Sequence, residues 1–308
     1  MTCEPIACPK AFVLGHPIKH SKSPLLHRAA YQQLNEHIIY ERRDTTEEQV
    51  AAVFDELGPD AGTCGFSVTM PLKTVVMDHL DELTPFAQAV GVVNTVFWRK
   101  NAEGNRRAYG HNTDVSGIVN ALRQAGVEGA PRSAAIIGGG GTATAALAAL
   151  AYLGTENVLV FVRDPARALG VSDAAARLGL NINFANIASF SQLYQSFDVT
   201  VSTLPSGAAD ALLMGASRHP AKVLLDVSYD PWPSPLASAW QQRGGAVTSG
   251  LEMLMYQAVD QVKLFTGRTL EERLPNQAEV LAAMRQAIGL AVTGFAPELV
   301  SDPAKLTR

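Results

Sequence analysis

A lysine and an aspartate in the N-terminal half of the chain could transfer a proton in catalysis. Lys73 comes shortly after Thr69, the last residue of an apolar run, and Asp114 belongs to the polar sequence Asn112-Thr113-Asp114 that ends another strand segment. Lys73 falls at the predicted start of a helix, where the helix dipole disfavours a cation, and a residue placed against local electrostatics hints at a function. An ammonium group and a carboxylate can serve as a proton-transfer couple. The alternative is an ordinary surface lysine.

Hydroxyl and amide side chains in the same half of the chain could bind a small polar molecule. Ser21 and Ser23 follow the first predicted strand, Thr69 ends another, and Asn94 lies in a third strand segment. In a doubly wound sheet, the loops at the carboxyl ends of the strands are where ligands bind. Ser23 could instead serve only as the cap of the helix predicted to begin beside it.

The segment around the two serines also contains three histidines, which raises the question of a metal. They are His16, His20 and His27. No nearby carboxylate or cysteine completes a ligand set, and the chain has no Cys-x-x-Cys pair. We therefore predict no metal site.

The strongest local pattern is a glycine-rich turn between an apolar strand and an alanine-rich helix. Gly138 allows a tight turn, Gly140 lets the backbone approach a phosphate, and the helix amides and dipole favour a pyrophosphate. The residues of the turn are Gly138, Gly139, Gly140, Gly141 and Thr142. The pattern predicts a dinucleotide site, and the alternative is a glycine-rich turn without a ligand.

Two arginines after the next predicted strand favour NADP over NAD. Arg163 and Arg167 could bind the additional phosphate of NADP, whereas an acid at the strand end would bind the ribose hydroxyls of NAD. Val162 supplies no acid at that position. Asp164 could cap the following helix, or it could repel the phosphate. NADP is the predicted cofactor.

Length and composition exclude several classes of protein. The 308 residues suffice for one large domain or two ordinary ones, and 25 Lys and Arg against 29 Asp and Glu give a net charge of −4, which argues against nucleic-acid binding. Three cysteines (Cys3, Cys8 and Cys64) are too few for a disulfide framework and favour a reducing, cytoplasmic setting without a secretory signal. The uncharged stretch 133–155 contains four consecutive glycines, so it predicts a buried strand, loop and helix and not a membrane span.

Apolar runs and helical patterns alternate along the chain, which predicts an α/β protein with mostly parallel sheets covered by helices. Strands are predicted at residues 11–14, 38–42, 65–69, 92–98, 134–137, 158–162, 199–202, 223–226 and 246–248. Helices are predicted at residues 23–34, 45–57, 72–80, 115–124, 142–153, 164–178 and 251–266.

Taken together, these segments resemble the shikimate dehydrogenase (shikimate 5-dehydrogenase) family over roughly residues 11–275. The family pattern G-x-P-I-x-H-S-x-S-P-x-x-H is matched throughout from Gly15 to His27. The patterns N-V-T-x-P-x-K, G-A-V-N-T and N-T-D-G-x-G correspond to residues 67–73, 91–95 and 112–117, and the glycine turn, residues 226–231 and residues 250–258 follow in order.

The resemblance implies a role for individual residues. A substrate carboxylate would be held by Ser21 and Ser23, with help from Tyr229. The ring hydroxyls would be bound by Thr69, Asn94, Asp114 and Gln257. Lys73 would be the catalytic lysine, paired with Asp114. The nicotinamide would lie beside Val227, Gly250 and Met253.

The resemblance also implies the organisation and the reaction. We expect an N-terminal α/β substrate-binding domain at residues 1–113, completed by helices that return at 250–290, a Rossmann-like NADP-binding domain at 114–249 and a tail at 291–308. The active site is expected in the cleft between the domains. The expected reaction is the reversible NADPH-dependent reduction of 3-dehydroshikimate to shikimate in the biosynthesis of chorismate and the aromatic amino acids. The expected partners are small molecules, not nucleic acids or membranes, and the protein is expected to be a monomer or a homodimer.

Several residues depart from the family pattern. Ser67 stands where the family usually has Asn, so one substrate contact is lost or replaced. Val92 replaces Ala, Val115 replaces Gly, and Val162 and Asp164 replace the usual Asn and Thr near the predicted NADP phosphate. One alternative is an NAD-linked quinate/shikimate dehydrogenase, in which Thr often occupies the position of Ser23 and an acid that of Val162. A more remote one is a non-catalytic dinucleotide sensor, which would need neither Lys73 nor Asp114.

Overall fold

The computed structural model describes residues 8–292 and 299–300, and the chain divides into two compact units. The first unit contains the described residues up to Gln88, Val92–Thr113, and the residues from Ala258 onward to 292. The second unit contains Ala89–Gly91, Asp114–Gln257 and residues 299–300. Most of the predicted tail at 291–308 lies outside the described residues.

Strands and helices alternate in both units. The strands are β1 (Lys10–Gly15), β2 (Ile39–Asp44), β3 (Thr63–Val68), β4 (Glu82–Leu83), β5 (Thr95–Lys100), β6 (Arg106–His111), β7 (Ala134–Ile137), β8 (Asn157–Val162), β9 (Asn181–Asn186), β10 (Val199–Ser202), β11 (Val223–Asp226) and β12 (Ala246–Ser249). The helices are α1 (Ser23–Leu34), α2 (Val50–Leu57), α3 (Pro85–Val90), α4 (Asp114–Gln124), α5 (Gly141–Tyr152), α6 (Leu169–Leu178), α7 (Phe190–Leu193), α8 (Pro235–Gln241), α9 (Gly250–Phe265) and α10 (Gln277–Ala287).

The first unit is built on a six-stranded mixed sheet in the order β2-β1-β3-β5-β6-β4. β1 runs parallel to both β2 and β3, whereas β5 runs antiparallel to both β3 and β6. The prediction of a mostly parallel sheet is correct for the other five strands but missed the reversal of β5, which pairs with β6 in a short hairpin. Gly104 adopts a left-handed φ of 85° in that hairpin, and Asn101 Oδ1 accepts from the amides of Glu103 and Asn105.

The segment that carries Lys73 is not an α-helix, so the helix predicted at 72–80 is wrong. Turns lead into a short 3-10 helix at Val75–His79. The β-branched side chains of Thr74, Val75 and Val76 lower the helix propensity here. The dipole argument for Lys73 therefore does not apply, and its role depends on where the turn places it.

The second unit contains a fully parallel sheet in the order β12-β11-β10-β7-β8-β9. The order reverses at β7 and β10, which is the switch point of a doubly wound, dinucleotide-binding sheet. β7 leads directly into the glycine-rich turn, and helix α5 follows it with a run of buried alanines. The predicted α/β fold with a Rossmann-like domain is confirmed.

Helix α9 begins directly after β12, and its first two turns group with the second unit. A Cβ atom on Gly117 of α4 would lie 2.7 Å from the carbonyl oxygen of Met253 and 2.9 Å from Cβ of Gln257. The hydroxyl of Tyr256 hydrogen-bonds Gln124 at 3.2 Å. This close packing explains why the chain rejoins the first unit at Ala258 and not at residue 250 as expected. None of the helices in the described part of the chain is long and apolar enough to span a membrane.

Candidate active site

One edge of the first unit's sheet gathers residues from three separate segments. β1 and β3 both end there, and because β5 is antiparallel to β3, its first residues lie at the same edge. The amide of Val68 accordingly donates to the carbonyl oxygen of Asn94 at 2.7 Å. The predicted site residues of this unit that lie in or beside these segments are Ser21, Ser23, Thr69, Lys73 and Asn94.

Backbone hydrogen bonds fix the loops of this edge against one another. The amide of His16 donates to the carbonyl oxygen of Met70 at 3.1 Å, which joins the loop after β1 to the loop after β3. Thr69 packs over Gly15, where a Cβ atom would lie only 2.5 Å from its Cγ2. The amide of Val93 donates to the carbonyl oxygen of Lys73 at 2.9 Å. Thr69, Lys73 and Asn94 therefore come from connected loops.

Ser21 lies in a tight turn that leads into α1, and Ser23 is the first residue of that helix. The Oγ of Ser21 accepts from the amide of Ser23 at 3.3 Å, and Arg42 donates to the Ser21 carbonyl at 2.6 and 3.1 Å. The alternative in which Ser23 serves only as the cap of α1 is wrong, since Ser23 is the first helical residue and the cap position is Lys22. The Ser23 hydroxyl is thus not used as a cap.

The Asn94 carboxamide is held in one orientation by its neighbours. Asn94 is 2 % exposed, its Oδ1 accepts from the amide of Thr113 and the hydroxyl of Thr95, each at 2.8 Å, and its Nδ2 donates to Thr113 Oγ1 at 3.0 Å. Thr113 directly precedes Asp114, the buried first residue of α4, which belongs to the second unit.

Two buried histidines in the first unit are uncharged near neutral pH. Burial lowers the pKa of His27 to about 3 and that of His111 to about 4. His27 stacks on Tyr40 with 3.8 Å between the ring centroids, and its Nε2 lies 3.3 Å from Gln261 Oε1. Within residues 8–292 and 299–300, no group of His, Cys, Asp and Glu side chains could hold a metal ion.

The lowered pKa values of these two histidines predict that the folded protein becomes less stable in acid. An unfolded histidine takes up a proton near pH 6.5, whereas folded His27 does so only near pH 3, so the free energy of unfolding should fall as pH decreases from 6.5 toward 4. The loss attributable to His27 is about 3 kcal/mol at pH 4. Urea unfolding at several pH values measures how the free energy of unfolding depends on pH. This dependence should be shallower in His27→Gln than in wild type, and it should be unchanged in His37→Gln, which alters an exposed histidine. An unchanged pH dependence in His27→Gln would contradict this account.

In the second unit, the glycine-rich turn has the geometry of a phosphate-binding loop. Gly138 has a φ of 115°, and a Cβ atom there would lie 2.4 Å from Thr203 Oγ1. A Cβ atom on Gly139 would lie 2.7 Å from Ala168 Cβ. The space around Gly140, by contrast, is open, and Gly140 is the cap residue at the start of α5. A ligand could therefore approach the backbone at Gly140 and meet the amides of the helix.

A cavity of about 240 Å³ lies between this turn and the loop after β8. It is lined by Gly138, Gly140, Val162, Arg163 and Arg167, among others. The carboxylate of Asp164 accepts from the amide of Ala166 at 3.0 Å, so Asp164 caps the turn that follows. Of the two roles left open for Asp164, the structure shows the cap, and both arginines are exposed at the cavity.

Gly140 offers a test of this cavity. Because nothing lies within 4 Å of its Cβ position, Gly140→Ala should change the free energy of unfolding by less than about 1 kcal/mol. The added methyl group would occupy the space of a phosphate, so the dissociation constant for NADP should rise at least about tenfold. Calorimetric titration measures the NADP dissociation constant of this variant and of Gly170→Ala. The second variant is a control in α6 with similar free space. Equal NADP affinity in wild type and Gly140→Ala would contradict a phosphate site here.

The loop after β11 reaches the start of α9. A Cβ atom on Gly250 would lie 1.9 Å from the carbonyl oxygen of Val227, so only glycine fits there. Met253 is buried on the first turn of α9, Gln257 lies one turn further on, and Tyr229 is half-buried in the same loop. The predicted nicotinamide neighbours Val227, Gly250 and Met253 thus come from two connected segments of one unit.

Three buried residues that support these segments had no role in the sequence-based prediction. Asp226 accepts from the Ser234 hydroxyl at 2.6 Å and from the amide of Ser228 at 3.2 Å, which closes the loop that carries Val227 and Tyr229. A carboxylate at the end of a buried strand was the available signal. Tyr40 and Gln261 contact Ser67, but they lie 27 and 194 residues from it in sequence, so spacing alone did not reveal them.

Comparison with known proteins agrees with these features. Residues 13–96 match the family model described as the shikimate dehydrogenase substrate binding domain. A shikimate dehydrogenase (NADP(+)) from Moorella thermoacetica is 30% identical over 92% of this chain and 94% of its own length. Among solved structures, a shikimate 5-dehydrogenase from Mycobacterium fortuitum is 39% identical, with a TM-score of 0.73 over 91% of this chain and 97% of that one. The Thermus thermophilus shikimate 5-dehydrogenase in complex with NADP(H) and shikimate is 30% identical, with a TM-score of 0.70 over 91% and 99%.

Proposed function

Because the chain belongs to the shikimate dehydrogenase family, we propose that it catalyses the reversible reduction of 3-dehydroshikimate to shikimate with NADPH, in the biosynthesis of aromatic amino acids. The observation that carries the proposal is the gathering of hydroxyl, amide and ammonium groups at one edge of the first unit's sheet. These groups come from segments far apart in sequence, yet backbone hydrogen bonds join their loops. A polyhydroxylated acid needs such a set of donors and acceptors.

The substrate is proposed to bind through its carboxylate and its ring hydroxyls. Ser21 and Ser23, assisted by Tyr229, donate to the carboxylate. The ring hydroxyls are bound by Thr69, Asn94, Asp114 and Gln257. Asn94 suits this role because its carboxamide is already oriented by Thr95 and Thr113, so little ordering remains to be done on binding.

Lys73 is proposed to move the proton. When bound, NADP exchanges a hydride with the ring carbon that carries the reacting oxygen. Negative charge then develops on that oxygen during reduction, and the Lys73 ammonium stabilises it and supplies the proton. In the reverse direction Lys73 accepts the proton from the shikimate hydroxyl. Asp114 orients Lys73 and binds a neighbouring hydroxyl.

NADP fits the residues of the second unit. The backbone of residues 138–141 and Thr142 at the start of α5 would hold the pyrophosphate, since Gly140 leaves open space there. Arg163 and Arg167 would bind the additional phosphate, and the capping role of Asp164 engages its carboxylate in the turn. Val227, Gly250 and Met253 would lie beside the nicotinamide. Cytoplasmic location is part of the same proposal.

Stoichiometric product analysis tests the proposed reaction. Incubation with shikimate and NADP should produce one 3-dehydroshikimate for each NADPH formed, and addition of NADPH to 3-dehydroshikimate should reverse it. Chromatographic identification of the product distinguishes this from oxidation of another hydroxyl. NADP binding without any product would favour a dinucleotide sensor.

A further inference from the structure

A buried glutamine on helix α9 bridges two neighbouring strands of the first unit. Ser67 of β3 and Thr95 of β5 lie directly opposite each other in the antiparallel pair, so their side chains share one face of the sheet. Gln261 Oε1 accepts from the Ser67 hydroxyl at 2.7 Å, and Gln261 Nε2 donates to Thr95 Oγ1 at 3.0 Å. Gln261 is 1% exposed, so the bridge is closed to solvent.

Close packing of α9 on β3 brings the Gln261 side chain to this position. Gly65 and Ser67 lie on the same face of β3, and Phe265 follows Gln261 by one turn of α9. A Cβ atom on Gly65 would overlap the ring of Phe265, so glycine lets the helix approach the strand. The Gln261 carboxamide, 2.7 Å from Ser67 Oγ, then occupies the space that an asparagine side chain at position 67 would need.

The neighbours of the Gln261 carboxamide determine which end carries the nitrogen. The carbonyl oxygen of Asn94 lies 3.4 Å from one end and can only accept, so that end is Nε2. The other end is Oε1, which accepts from the Ser67 hydroxyl and from Nε2 of His27 at 3.3 Å. The reversed orientation would place two oxygens against each other at Asn94. Gln261 is therefore the donor to Thr95.

The Thr95 hydroxyl links Gln261 to Asn94. A threonine hydroxyl has one proton, and Thr95 Oγ1 donates it to Asn94 Oδ1 at 2.8 Å. The N–H of Gln261 takes one lone-pair direction of the same oxygen, which limits the rotation of the hydroxyl. Thr113 Oγ1, 3.2 Å from Thr95 Oγ1, is a competing acceptor for the Thr95 proton. Removal of the Gln261 amide would free the Thr95 hydroxyl to turn away from Asn94.

We propose that Gln261 is a positioning residue for substrate binding, which orients the Asn94 carboxamide through the Thr95 hydroxyl. This inference rests on the proposed function, in which Asn94 binds a ring hydroxyl of the substrate. The amide of Thr113 also donates to Asn94 Oδ1 at 2.8 Å, so loss of Gln261 should weaken the orientation of Asn94 and not abolish it. The effect should fall on the binding of shikimate and not on the binding of NADP.

The test compares Gln261→Met with Gln277→Met. Both replace a buried glutamine of the first unit by an apolar side chain of similar length, but Gln277 lies on α10, where it accepts from the amide of Leu274. Gln261→Met should raise KM for shikimate about fivefold, as expected for one neutral hydrogen bond, with kcat and KM for NADP changed less than about twofold. Gln277→Met should keep all three constants within about twofold of wild type. An unchanged KM for shikimate in Gln261→Met, or an equal rise in both variants, would overturn the assignment.

A second comparison, at Thr95, does not depend on the folding of Gln261→Met. Thr95→Val removes the hydroxyl and should raise KM for shikimate about fivefold, whereas Thr95→Ser retains the hydroxyl and should keep the wild-type KM. Adding Gln261→Met to Thr95→Val should raise KM no further, because both act on the same hydrogen bond to Asn94. Equal KM in Thr95→Val and Thr95→Ser, or effects that multiply in the double variant, would overturn the assignment. Absence of shikimate oxidation in the wild-type protein would instead overturn the proposed function, on which the inference rests.

Discussion

Replacing Lys73 by alanine is expected to lower kcat for shikimate oxidation about a thousandfold, with KM for shikimate and for NADP changed by less than about threefold. A positioned general acid or base contributes about 10²–10⁴-fold to a rate, and Lys73 is the proposed proton carrier. Its effect should fall on kcat because stabilisation of charge on the reacting oxygen is needed in the transition state more than in the bound substrate. Steady-state kinetics of shikimate oxidation and of 3-dehydroshikimate reduction measure kcat and KM for the variant and the wild type.

Lys19→Ala is the matched control for this prediction. Lys19 is exposed in the loop after β1, near the same sheet edge. Its replacement removes one positive charge, as Lys73→Ala does, but leaves the proposed proton carrier in place. Its kinetic constants should stay within about twofold of wild type. If Lys73→Ala also kept wild-type kcat, Lys73 would not carry the proton, and a sensor that needs no catalytic lysine would regain support.

Replacing both Arg163 and Arg167 by alanine should lower kcat/KM for NADP about a hundredfold and leave kcat/KM for NAD unchanged. Both side chains are exposed at the cavity beside the glycine turn, and hydrogen bonds between guanidinium groups and phosphate are among the strong ones. NAD lacks that phosphate, so the loss should be confined to NADP. Rates measured with both dinucleotides at fixed shikimate test this directly.

The control for the arginines is Arg132→Ala. Arg132 is exposed and precedes β7, at the opposite end of the parallel sheet from the glycine turn. Its replacement by alanine therefore changes the charge of the unit without affecting the cavity. Its preference for NADP over NAD should equal that of wild type. An undiminished NADP preference in the double arginine variant would mean that other residues select the cofactor.

Buried parallel strands were the elements best predicted from sequence. β7, β10 and β11 have the predicted bounds because each is short, contains branched apolar residues and is almost fully buried. β9 was missed because it is an edge strand in which three asparagines, Asn181, Asn183 and Asn186, break up the apolar residues. The hairpin of β5 and β6 was missed because period and composition do not reveal strand direction.

The candidate site was predictable to the extent that its residues follow strands. Thr69 and Lys73 after β3, and Gly138 after β7, could be assigned to the ends of strands before the sheet order was known. The buried residues that hold these segments in place could not be predicted, because Tyr40, Ser67 and Gln261 meet only when β2, β3 and α9 come together. Asp164 likewise had two possible roles until the hydrogen bond to Ala166 showed the cap.

The most direct test of the account is a comparison of kcat/KM for shikimate and for quinate, each with NADP and with NAD. We expect efficient turnover only with shikimate and NADP, because the proposed function assigns Arg163 and Arg167 to the additional phosphate of NADP and Ser21 and Ser23 to the carboxylate of shikimate. Comparable or greater efficiency with NAD or with quinate would contradict it and favour an NAD-linked quinate/shikimate dehydrogenase. Absence of turnover with every pair, with NADP binding retained, would contradict it in favour of a sensor.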